Sequence, residues 1–281
     1  MRAATVSTLL SALLLSGVAG ATPGAPWRVG AQQDSCAAVD ASIVAHNGTT
    51  KGVEETHNGL RVYITKPDPT SSRTKAREGT AVLYLTDVFG IELAANKLLA
   101  DSFARAGYLT IAPDLFSGEN ASGDINVPGF NTSAFLAKHG PDVTDPIIAQ
   151  TMALLRTTLG VRKIGLTGYC FGGRYAFRFA AAGKGGDAAF AAHPSLLEDG
   201  EIKAIKAPAA IAAAETDSMM SPARRGEVEG LLGATKVPYQ VSLYSGTSHG
   251  FGVRADVSVP VQRFGKEEAF LQAVRWFDNF L

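Results

Sequence analysis

From residue 80 onward, strand-length apolar runs alternate with segments of helical periodicity, and this alternation restricts the fold more than any other feature of the chain. TAVLYLTD (80–87), YLTIAPD (108–114), DAAFAAH (187–193) and APAAIAAAE (207–215) have the near-continuous hydrophobicity of strands buried on both faces. RKIGLT (162–167) and YQVSLY (239–244) complete the series, and LRVYITK (60–66) precedes it with the alternation of a half-buried strand. Residues 92–106, 146–159, 173–182, 222–232 and 266–280 carry helical spacing between and after these runs. Buried strands alternating with helices predict an α/β fold: a mostly parallel central sheet covered by helices on both faces. The chain shows no internal repeat, and 281 residues suffice for one large core, so a single domain over 45–281 is expected.

Residues 115–145 interrupt the regular pattern. They are rich in Gly, Asn, Ser, Pro and Asp, which is the composition of a lid or binding loop, with one short helical stretch around FLAK. The N-terminus reads as an address. The stretch TVSTLLSALLLSGVAGA is uncharged, ends in small residues, and is shorter than the ~20 apolar residues of a spanning helix. Ala19 and Ala21 fit the small-x-small cleavage rule, so residues 1–21 are expected to be a signal peptide and 22–44 a leader segment. Sequons at Asn47, Asn120 and Asn131 fit a secreted, glycosylated chain with no membrane attachment after cleavage.

Lysine plus arginine and aspartate plus glutamate each number 26, so charge gives no reason to expect a nucleic-acid partner. The five histidines lack metal-ligand spacing and no C-x-x-C occurs; neither a metal nor a cofactor is expected, and a monomer is. Only Cys36 and Cys170 are available for a disulfide, so the chain has no disulfide framework.

Cys170 stands in GLTGYCFGGR (165–174), between a strand and a helix. By itself this thiol could be packing, half of a disulfide or a nucleophile. The flanking glycines favour the last, because a nucleophile at the tip of a sharp strand-to-helix turn needs neighbours without side chains; here these are Gly168, Gly172 and Gly173. The turn sets the thiol at a helix N-terminus, which favours a thiolate, and aims the Phe171 amide at a developing oxyanion. Asp217 follows the strand 207–215, and His249 follows the strand 239–244 in what reads as a flexible glycine-rich loop. Nucleophile, acid and histidine thus occur in the chain order of an α/β-hydrolase triad. Alone, Asp217 reads as a helix cap and His249 as a surface residue; in order, each after its own strand, they read as a triad.

With these residues placed, the chain resembles the dienelactone hydrolase family of α/β-hydrolases over roughly residues 45–281. The resemblance rests on LTDVFG (85–90), APDLF (112–116), GYCFGGR (168–174), HPS (193–195), ETD (215–217) and SHGFGVR (248–254). It implies an α/β-hydrolase fold and a Cys-Asp-His triad. It further implies that Asp87, where founding members carry glutamate, activates the thiol. The Val88 amide would be the second oxyanion donor, and Arg254 would hold a substrate carboxylate. A second substrate arginine of the family has no counterpart in LFSGENASGDINVPGF. Tyr169 and Phe171 are expected to line the pocket, His193 and Ser195 to be pocket or packing residues with His193 a candidate for substrate contact, and Arg174 to support the elbow helix.

The expected activity is a secreted, cofactor-free hydrolysis of a small ester or lactone through an acyl-thioenzyme. Acyl transfer or thioester hydrolysis on the same triad, and a non-catalytic binding protein on a hydrolase scaffold, are the alternatives.

Overall fold

The computed structural model describes residues 40–121 and 131–281. The signal peptide, most of the leader and Cys36 lie outside the described residues. Eight strands form one sheet: β1 (Val53–His57), β2 (Leu60–Thr65), β3 (Thr80–Leu85), β4 (Leu109–Pro113), β5 (Lys163–Tyr169), β6 (Ala188–Ala192), β7 (Ala209–Thr216) and β8 (Tyr239–Ser248). Their spatial order is β1-β2-β4-β3-β5-β6-β7-β8. The β1–β2 and β2–β4 pairs are antiparallel, and every pair from β4 to β8 is parallel. The observed α/β architecture is therefore the expected one.

The strand pattern decides which helices cover which face. Side chains alternate across a strand, so Leu83, Leu85 and Leu166 pack on one side, and Val82, Tyr84 and Phe190 on the other. The first face lies under α4 (Pro141–Ala153), α5 (Phe171–Phe179), α6 (Asp199–Ala204) and α7 (Pro222–Thr235). The second lies under α2 (Ala94–Arg105) and α9 (Pro260–Phe280), where Phe103, Phe270 and Phe277 meet. Ile43 and Val44, at the end of the expected leader, are buried in this second cluster.

Several elements depart from the expected boundaries. Strand β1, reading VEETH, escapes sequence pattern because it is an edge strand with little buried surface. Helix α4 begins at Pro141 rather than Pro146, since the earlier proline takes the first-turn position where no amide hydrogen is needed. Before it, α3 (Thr132–Lys138) is capped by the Asn131 side chain, which accepts from the Ala134 amide at 2.9 Å. Helix α3 contains the FLAK stretch expected to be helical, and α4 starts within the end of the expected irregular span. Short α1 (Ser72–Ala76) and α6 were also not anticipated, and α8 (Phe251–Arg254) forms within the expected glycine-rich loop.

The strand register brings one edge of the sheet together. Leu85 pairs with Gly168, Tyr169 with Ala192, and Ala192 with Ala212. Asp87, Cys170 and His193 each follow within two residues of these positions. They collect at the carboxyl ends of adjacent strands, where sheets of this class place their ligands.

Candidate active site

The thiol stands at the sharpest turn in this edge. Cys170 adopts φ 50°, ψ −111° between β5 and α5, a conformation that costs a non-glycine residue of order 1–3 kcal/mol. The surrounding backbone holds it there: its amide donates to Ala192 O at 3.2 Å, and the Gly173 and Ser195 amides donate to its carbonyl at 3.0 Å. The elbow glycines answer to close approach. A methyl on Gly168 would stand 2.2 Å from Gly172 O, and one on Gly172 would stand 2.1 Å from Leu85 O. Gly173 faces Pro194 in the same way, at 2.8 Å. Strand, helix and neighbouring strand converge too tightly for any side chain at these positions.

Helix α5 is clamped from outside. Arg174 binds both oxygens of Glu201, at 2.9 and 3.1 Å, and also pairs with Glu198. Arg178 forks onto Asp145 at 2.6 and 3.1 Å and reaches Glu201 as well. The expected supporting role of Arg174 is thus a bridge from α5 to α6, matched by an Arg178 bridge to α4.

Cys170 carries a free, buried thiol. His249 lies close enough for the thiol to act on its charge, and its ring is hydrogen-bonded to Asp217. The His249 Nδ1–Asp217 Oδ2 separation is 2.8 Å. Asp217 Oδ1 is occupied by the Met219 and Met220 amides at 2.8 and 3.3 Å, which fixes the carboxylate plane. His249 is not on a flexible loop: β8 continues to Ser248, and the His249 amide donates to Thr216 O at 3.0 Å. Burial disfavours a charged ring here, but the hydrogen bonds and charges of Asp217 and Cys170 outweigh it and push the His249 pKa up to about 10. That direction favours a charged ring beside the Asp217 carboxylate.

The Phe171 amide at the start of α5 and the Val88 amide after β3 have no acceptor among the hydrogen bonds of the described residues. Both flank the elbow, and such free donors suit a developing oxyanion.

Asp87 is fully buried, and its described contacts do not include the thiol. Oδ1 accepts from Asn96 Nδ2 at 2.8 Å and from the Phe89 amide at 3.2 Å, while Oδ2 faces Arg254 Nε at 3.4 Å. Burial raises its pKa, against the opposing pull of Arg254 and Asn96. In this arrangement Asp87 holds Arg254, which also lies 4.4 Å over the Phe89 ring. The expected activation of Cys170 by Asp87 is corrected: its carboxylate is turned to Asn96, the Phe89 amide and Arg254, with no described contact to the thiol. Asn96 itself, on α2, went unread because a polar residue on a helix gives no sequence signal of facing inward.

Tyr169 and His193 are corrected as well. Tyr169 is buried on the α9 side of the sheet, stacked 4.9 Å from Tyr84, because the residue before Cys170 points to the opposite face. His193 is fully enclosed behind His249, with ring centroids 5.1 Å apart. Neither offers surface to a pocket. On the roof, Phe116 packs 5.2 Å from Phe171 and 5.3 Å from Phe135. Of the sequon asparagines, Asn47 and Asn131 are exposed and Asn120 is partly covered.

Comparison with known proteins decides the family. The family model for the dienelactone hydrolase family matches residues 62–281. The chain belongs to the dienelactone hydrolase family. It is 39% identical to the hydrolase pyvD of Aspergillus violaceofuscus over 84% of this chain and 93% of that protein. It is 28% identical to dienlactone hydrolase 1 of Gibberella moniliformis over 84% of this chain and 90% of that one. Among solved structures, one from Klebsiella pneumoniae assigned as a dienelactone hydrolase superposes with TM-score 0.65 at 17% identity, covering 83% of this chain and all of the other. Membership makes the chain a hydrolase of the lactone and ester type.

Proposed function

We propose that this chain hydrolyses a small ester or lactone with Cys170 as nucleophile. The observation that carries this reading is a free thiol on a strained elbow with His249, itself hydrogen-bonded to Asp217, beside it. The thiolate attacks the carbonyl carbon, and the tetrahedral oxyanion forms against the Phe171 and Val88 amides. Collapse expels the alkoxide, which takes the proton from His249, and leaves an acyl-thioenzyme. Water then attacks the thioester carbonyl while His249 removes its proton. The second collapse releases the carboxylic acid and returns the thiolate beside the protonated ring. Asp217 keeps Nδ1 protonated throughout and stabilises the cation.

Arg254 supports a preference for substrates bearing a carboxylate. Its side chain is about one-third exposed (32%) while its Nε meets buried Asp87, so its outer nitrogens are open to a second anion. We further propose that residues 1–21 direct secretion and that the sequon asparagines carry glycans. The N-terminal sequence of protein recovered from a eukaryotic host's medium tests this: a start at Thr22 supports it, and retention inside cells with an intact Met1 contradicts it.

A panel of nitrophenyl esters and unsaturated lactones, run on wild type and Cys170→Ala, tests the catalytic reading. Turnover that disappears with the thiol supports it, and turnover that survives contradicts it. Faster cleavage of carboxylate-bearing lactones, lost in Arg254→Ala, supports the assignment of Arg254.

A further inference from the structure

The turn after β6 carries a buried hydroxyl that the triad does not use. His193-Pro194-Ser195-Leu196 is an unusual piece of backbone, with positive φ at His193 (38°) and Leu196 (57°). Such residues persist only where the surroundings hold them, and here the turn is laced onto the elbow. The His193 amide donates to Ala212 O at 2.8 Å, and the Ser195 amide donates to Cys170 O at 3.0 Å. Pro194 fills the space left open by Gly173. The outcome is a buried hydroxyl, Ser195 Oγ, 3.6 Å from Cys170 Sγ, within hydrogen-bond reach for an atom as large as sulfur.

We propose that Ser195 is a catalytic residue whose hydroxyl donates a hydrogen bond to the Cys170 thiolate. The proposal rests on the reading of Cys170 as nucleophile and deepens it. During acylation His249 must protonate the departing alkoxide, and during deacylation it must take a proton from water. In neither half-reaction can the ring be devoted to the sulfur, yet the second half expels a thiolate. A neutral hydroxyl that does not titrate in the working range can stay with the sulfur through both. No proton is transferred from Ser195; the hydrogen bond strengthens as charge gathers on sulfur.

The test is the pH titration of thiolate absorbance in wild type, Ser195→Ala, Ser195→Gly and Ser195→Thr, each corrected by the Cys170→Ala spectrum to remove Cys36 and the tyrosines. The other titratable and charged groups at this edge are His249 with Asp217 behind it, His193, Asp87, Arg254, Tyr84 and Tyr169, and all are retained in every Ser195 variant. Loss of the hydroxyl is expected to raise the thiolate midpoint by about one pH unit, the scale of one hydrogen bond to a charged group. Ser195→Thr is expected to restore the wild-type midpoint. Burst kinetics with a nitrophenyl ester should show deacylation slowed more than acylation in Ser195→Ala. A folded Ser195→Ala or Ser195→Gly that titrates as wild type does would overturn the proposal. If Cys170→Ala retains both activity and the titrating band, the nucleophile reading itself fails, which is a separate outcome from an unshifted midpoint.

Discussion

Two histidines stand 5.1 Å apart at the carboxyl edge of the sheet, and their surroundings drive them in opposite directions. His249 is partly exposed, hydrogen-bonded to Asp217 and under the influence of the nearby Cys170, so its charged form is favoured. His193 is fully enclosed, and neither ring nitrogen has a partner among the described residues. Burial first, then the nearby His249 and Arg254 charges, lower its pKa far below the usual histidine value. The pair shows that chemistry at this site comes from partners and that burial alone produces a neutral wall. His193 packs its ring against His249 and Phe251, and as a neutral group it does not compete for the proton His249 carries.

The largest effect that sharpens this contrast is expected at His249. His249→Ala should fold and lose at least about 10⁴-fold in ester hydrolysis, as removal of a triad member does elsewhere. Asp217→Asn should lose about 10³–10⁴-fold in kcat, with a lower pH for deprotonation of His249 by NMR. His193→Phe should lose less than about tenfold, since it preserves an aromatic wall; a loss as large as that of His249→Ala would break the distinction.

A smaller pair of effects lies in stability against pH, with opposite signs. The folded pKa of His249 is raised from 6.5 to about 10, so its stabilising contribution is complete below about pH 6.5 and is lost as pH rises towards 10. The folded pKa of His193 is depressed below 6.5, so its contribution is present above about pH 6.5 and is lost as pH falls. Melting temperatures across pH 4–10 should therefore lose their alkaline slope in His249→Gln and part of their acid slope in His193→Phe.

The grouping of Cys170, Asp217 and His249 at one sheet edge was legible in the sequence because each directly follows a strand, and continuous apolar runs make those strands hard to miss. The elbow glycines were legible for the same local reason. What escaped required knowing which face a residue presents or what packs from another element. Tyr169 could have been placed correctly by alternation, since its neighbour Cys170 must face the other way. Asp87 could not: its partner Asn96 arrives on α2, and only helix packing brings the two within 2.8 Å. Ser195 depended on a turn with two positive-φ residues, which His-Pro-Ser-Leu does not announce. Strand β1 was missed because an exposed edge needs no apolar alternation.

The central claim is that Cys170 forms the covalent intermediate, and acid-quenched peptide mapping during turnover of a nitrophenyl ester tests it most directly. The acyl group is expected on the peptide carrying Cys170, at the sulfur, and absent from Cys170→Ala. An acyl group found on Ser195 or any other side chain, or turnover by Cys170→Ala at the wild-type rate, would contradict the account.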